Sequence, residues 1–144
     1  IADANRVADA IYPHGFKFTY HNHSREFMKF GGKTILEILA EELDPQKTSF
    51  VLDTYWVQHG GGDVRAWIER LAGRIDILHL KDMAVKGNDP YITEIGNGNL
   101  NWDGILATAE SAGVKYYTVE EDICPGDPFD SLAASASFLA RYKK

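Results

Sequence analysis

The chain has 144 residues, 44% hydrophobic and 25% charged, which is the composition of a folded globular protein rather than a disordered one. A formal net charge of -6 lacks the basic surplus of a nucleic-acid binder, and no run of roughly eighteen apolar residues exists to span a membrane. Cys124 is the single cysteine, which forbids an internal disulfide and fits a reducing, cytoplasmic compartment. The length suits one domain, 1–144, yet Ile1 opens the chain inside a helical pattern, so it reads as part of something longer.

From the N-terminus, Ile1, Ala4, Val7, Ala8 and Ile11 recur at helical spacing, and Pro13-His14-Gly15 stops that helix. The aromatic run Phe16 to Asn22 predicts a strand. After Gly31-Gly32, Thr34 to Leu43 predicts a helix whose stripe is Ile35, Ile38, Leu39 and Leu43. Ser49 to Tyr55 predicts the second strand. Asp63 then caps a helix over Val64 to Leu71 that buries Val64, Trp67, Ile68 and Leu71. Ile75 to Leu80 is the third strand, followed by a long polar connection from Ala84 to Asn101. Trp102 to Ala112 predicts a helix, Lys115 to Glu120 the fourth strand, and Phe129 to Tyr142 a final Ala-rich helix. Strict helix–strand alternation implies parallel βαβ units, in an open doubly wound sheet or in part of a (β/α)8 barrel. No GxGxxG follows the first strand, which removes the usual dinucleotide reading.

Polar residues collect at the C-terminal ends of all four strands, the edge where parallel sheets and barrels build active sites. These ends carry His21-Asn22-His23, Asp53, His79-Leu80-Lys81-Asp82 and Glu120-Glu121-Asp122. Alternation places Val51, Asp53 and Tyr55 on one side of their strand. Ile77, His79 and Lys81 share a side, as do Thr118, Glu120 and Asp122, and Thr19, His21 and His23. If those sides line one interior, two imidazoles and two carboxylates converge, a donor set suited to a divalent cation.

The motifs YHNHSREF (Tyr20 to Phe27), LDTYWVQHGGGD (Leu52 to Asp63), GRIDILHLKDM (Gly73 to Met83), EIGNGNLNW (Glu94 to Trp102) and YYTVEED (Tyr116 to Asp122) resemble the xylose isomerase-like TIM-barrel superfamily. More narrowly, they are similar to its sugar phosphate isomerase/epimerase branch, grouped with the endonuclease IV fold. The resemblance implies an α/β (β/α)8 TIM barrel of which this chain supplies about four βα units, its C-terminal half. It also implies a divalent metal (Mn, Zn, Co or Mg) and a small carbohydrate or polyol substrate. Asp53, His79 and Glu120 match the family's aspartate, histidine and final glutamate ligands. The fourth ligand is usually a glutamate, and here His21 or His23 stands in its place. Trp56 departs from the histidine that relatives often carry, which with the acidic charge speaks against DNA repair. Asn97 stands where relatives commonly show a glutamate.

The implied chemistry is isomerisation or epimerisation by removing a proton next to a carbonyl, with the metal stabilising the enediolate. Glu120 is the first candidate base, with His21 or His23 opposite it, and Lys81 is placed to stabilise charge on oxygen or to form a salt bridge with Asp82 or Glu120. His23, Trp56, Lys81 and Asn97 are the expected substrate contacts, Trp56 through stacking and the Gly96 to Asn99 run through backbone hydrogen bonds to a hydroxyl or phosphate. Glu26 is expected to orient a histidine ring, His14 and His59 to be solvated, and Cys124 to pack. Alternatives on the same fold are a keto-glycoside lyase or hydrolase and an inosose dehydratase. A third reading is an inactive half barrel or scaffold that pairs with a second copy or with an N-terminal half.

Overall fold

The computed structural model describes residues 1–142. In chain order, helix α1 spans Ala2–Ile11, strand β1 Phe18–His21, the short strands β2 and β3 Lys29–Phe30 and Lys33–Thr34, and helix α2 Ile35–Glu42. Strand β4 spans Thr48–Asp53, helix α3 Thr54–His59, helix α4 Val64–Arg70 and strand β5 Ile75–Leu80. Strands β6 and β7 are Asp82–Lys86 and Asp89–Thr93, helix α5 is Trp102–Ser111, strand β8 Tyr116–Val119 and helix α6 Pro128–Leu139.

β1, β4, β5 and β8 form one all-parallel sheet in that order, as the βα repeat requires. The register sets Asp53 beside His79 and His79 beside Thr118, so all the C-terminal strand ends lie along one edge. Every residue of β4 is buried, and Phe50, Leu52, Leu78 and Leu80 pack against Leu36, Leu39, Trp67, Ile68 and Ile105 of the covering helices. Each such fully buried side chain contributes about 1.5–3 kcal/mol over its exposed state. No strand pairs with the outer edges of β1 and β8 among the described residues.

Several elements differ from the sequence expectation. The second strand stops at Asp53 because that carboxylate caps a new helix, accepting from Trp56 N at 3.0 Å; Tyr55 therefore leaves the Asp53 face and lies buried in α3. The connection after β5 is a β-hairpin, with Met83 opposite Ile92 and a tight turn at Gly87-Asn88, Gly87 having φ 65°. In α2 the buried stripe is Leu36 and Leu39, continued by Leu43, while Ile35 and Ile38 sit at its margins. The Thr34/Glu37 capping box sets where that helix starts and so rotates the stripe. Of the predicted α1 stripe only Ala8 is buried, because the sheet ends at β1 and nothing among the described residues covers Ile1 and Val7. The α4 stripe of Val64, Trp67, Ile68 and Leu71 is buried as predicted.

Candidate metal centre

The strand edge brings four side chains together. One donor atom each from His21, Asp53, His79 and Glu120 lies within 4.8 Å of the other three. Asp53 is wholly buried, and its two oxygens divide their tasks. Oδ1 caps α3, while Oδ2 faces His21 Nε2 at 3.3 Å and His79 Nδ1 at 3.9 Å. Asn22 Oδ1 accepts from the Asp53 backbone N–H at 2.9 Å and so pins the end of β4 to the end of β1. His79 Nδ1 stands 2.8 Å from Glu120 Oε2.

His23 lies outside this group. β1 ends at His21, and His23 begins a 3₁₀ turn over Ser24–Phe27, where its ring packs against His21 and Trp56 at centroid distances of 4.8 and 5.3 Å. Burial, and then the neighbouring His21, push its pKa below the usual histidine value. Glu26 does not orient a histidine ring as expected. Three residues into the turn, its buried carboxylate reaches back to the His23 backbone N–H at 2.6 Å and accepts from Tyr20 Oη at 2.9 Å. Burial and that bond to Glu26 raise the Tyr20 phenol to about 12.

Lys81 is 1% exposed and ringed by carboxylates: Glu120 Oε2 at 3.0 Å, Asp122 at 3.1 Å and Asp53 Oδ2 at 3.2 Å. Burial alone would lower its pKa, but the Asp53 charge and hydrogen bonds to Glu120 and Asp122 outweigh it, so the ammonium is held above its ordinary value. Glu120 answers in kind: burial opposes its ionisation, yet Lys81 and His79 bring its pKa below the ordinary value. The Lys81 backbone is fixed by Thr54 Oγ1, which accepts from its N–H at 3.0 Å and donates to its carbonyl at 2.8 Å. The expected Lys81 partner Asp82 points elsewhere.

Asp82, which the sequence offered only as a partner for Lys81, has a different task. Fully buried, its Oδ2 accepts from Gly96 N, Gly98 N and Trp102 Nε1, and its Oδ1 from Met83 N and Leu100 N, at 2.7 to 3.2 Å. Gly98 lies so close that a Cβ there would stand 2.3 Å from Asp82 Oδ1. The Gly96 and Gly98 N–H groups expected to meet a hydroxyl or phosphate are thus spent on the chain's own carboxylate. Asn97 is exposed and donates to Glu94 Oε2 at 3.1 Å. Trp56 is half-buried between His23 and Lys81, whose Nζ lies 5.8 Å from the indole centroid. His14 and His59 are exposed, as expected, while Cys124 is half-buried.

The donor set fits a divalent cation. Two imidazoles and two carboxylates are the ligand types such ions take, and here one donor atom from each already converges at the same strand edge.

This edge-mounted cluster on parallel βα units agrees with what comparison finds. The chain belongs to the xylose isomerase-like TIM barrel family. The match covers residues 1–142. An inosose dehydratase of Geobacillus thermodenitrificans is 27% identical over 155 aligned positions, covering 94% of this chain and 51% of that protein. Another, from Mesomycoplasma hyopneumoniae, is 29% identical over 109 positions, covering 72% of this chain and 34% of that protein. The crystal structure of a sugar phosphate isomerase/epimerase from Parabacteroides distasonis superposes with a TM-score of 0.78 at 30% identity, covering 96% of this chain and 51% of that one. The chain thus spans about half the length, or less, of the curated relatives it matches. The four-stranded parallel sheet with its helices corresponds to half of such a barrel, about four βα units. No helix among the described residues is long and apolar enough to cross a membrane.

Proposed function

We propose that this chain carries the metal centre of an enzyme that isomerises or epimerises a small keto-sugar or polyol ketone by moving a proton at the carbon next to the carbonyl. The observation that carries the reading is the convergence of His21, Asp53, His79 and Glu120 at the strand ends. These four residues would hold the cation, with His21 rather than His23 as the fourth ligand. When bound, a divalent cation supplies Lewis acidity toward a carbonyl and its neighbouring hydroxyl.

The chain's own groups do the rest. Glu120, kept ionised by Lys81 and His79, is the carboxylate placed to take the proton from carbon. Lys81, immobilised by burial and by Thr54, is a fixed N–H donor that holds the Glu120 carboxylate in position. Trp56, with His23 beside it, offers an aromatic face to the apolar side of a sugar ring. Proton removal beside a carbonyl also begins a dehydration, and the curated relatives named inosose dehydratase favour that as a second outcome of the same step.

Metal analysis of the purified protein should find one divalent ion per chain, lost in Asp53→Ala and in His79→Ala. A protein that turns over substrate after exhaustive chelation would refute the proposal. Incubation with ketoses and an inosose, followed by product analysis, separates isomerisation from loss of water.

A further inference from the structure

We infer that Asp122 determines specificity at this site by cancelling the charge of Lys81, so that the site selects an uncharged carbohydrate over its phosphate monoester. The inference rests on the proposed metal-dependent carbohydrate chemistry and concerns only what that site admits. One ammonium faces three carboxylates, those of Asp53, Glu120 and Asp122, all within 3.2 Å. The group therefore carries two net negative charges, which one divalent cation balances. Within this group of described residues no positive charge is left over to hold a phosphate dianion.

The loop that the sequence suggests for a phosphate is committed elsewhere. The Gly96 and Gly98 amides of the glycine-rich loop, a backbone suited to anions, already enclose the Asp82 carboxylate. Arg25, whose charge reaches His23, is mostly exposed and lies 3.3 Å from Glu26 Oε1. The wall beside Lys81 is instead the Trp56 ring, which suits the hydrocarbon face of a sugar and not an anion.

Of the three carboxylates on Lys81, Asp122 is the one with no place in the proposed metal-binding group, and its side chain is 40% exposed. Its removal therefore uncovers positive charge without taking away a ligand or opening the core. A unit charge a few ångströms from a bound dianion changes its affinity by about tenfold even after generous screening.

The test uses the protein loaded with Mn²⁺, its loading established first by electron paramagnetic resonance. Inorganic phosphate, D-fructose and D-fructose 1-phosphate are then titrated, following water-proton relaxation of the bound ion. The wild type should hold D-fructose 1-phosphate no more tightly than D-fructose. Asp122→Asn should tighten inorganic phosphate by about tenfold and move D-fructose by less than about twofold. Asp122→Glu, which keeps the charge, should retain the wild-type response. A wild type that prefers the phosphate monoester, or an Asp122→Asn protein whose phosphate affinity is unchanged, overturns the inference while leaving the metal centre standing. Failure to load Mn²⁺ at all instead overturns the functional reading beneath it.

Discussion

Replacing Asp82 by asparagine changes one atom and tests the strongest structural claim made by the site's surroundings. In the wild type Oδ2 receives three N–H donors, from Gly96, Gly98 and Trp102, and Oδ1 receives two, from Met83 and Leu100. An amide has only one acceptor. In its better orientation the Asn NH₂ takes the place of Oδ1 and confronts two backbone donors, and in the other it confronts three. Each buried donor left without an acceptor costs about 1–3 kcal/mol, and the surviving bonds lose the strength that the charge lent them. The expected loss is about 3–5 kcal/mol for an isosteric change. With a urea dependence of about 1–3 kcal/mol per molar, the unfolding midpoint should fall by roughly 2 M. Urea titration followed by Trp fluorescence reads this directly, since Trp102 is one of the donors. A midpoint within about 0.5 M of the wild type would show that water or loop relaxation satisfies these donors, and the account of Asp82 as the anchor of the Gly96–Trp102 loop would be wrong.

Two further outcomes follow from the charges. Lys81→Met leaves the wholly buried Asp53 carboxylate beside Glu120 without its ammonium, which should cost about 3 kcal/mol in the metal-free protein. Calorimetry in chelator should show Tm lower by about 10 °C, with saturating Mn²⁺ restoring more to the variant than to the wild type; a drop under about 2 °C would contradict it. Glu94 accepts from its own backbone amide, Asn97, Thr93 and Ser131, in that order of effect, which holds its pKa at about 2 against an ordinary 4.5. A folded-state pKa below the unfolded one gives stability that is complete above the unfolded value and is lost as pH falls from about 4.5 toward 2. The stability gap between wild type and Glu94→Gln should therefore narrow between about pH 5 and pH 3. A gap that stays constant across that window would refute the assignment.

Much of this protein was written in local pattern. Helical apolar spacing marked α1, α2 and α4, and the residues at the strand ends suggested a chemistry before any geometry was known. Asp53, His79 and Glu120 stand out because each ends an apolar strand on the side that alternation turns inward. The choice between His21 and His23 could not be read that way, since two residues apart they share a side. The end of β1 at His21 and the turn that begins at His23 separate them. The long polar connection concealed a hairpin because its strands expose polar and apolar residues alike, and only pairing with each other makes them strands.

By itself, then, the sequence determined the class of fold, the edge that bears the site and the donor types found there, because all three depend on periodicity and residue chemistry within one βα unit. Tertiary structure alone decided which donors meet, that Lys81 faces three carboxylates, and that the glycine loop folds around Asp82. Those facts depend on the register between strands and on groups far apart in the chain, such as Lys81 and Asp122 or Asp82 and Trp102. No local pattern records which charge will face which once the chain has closed upon itself.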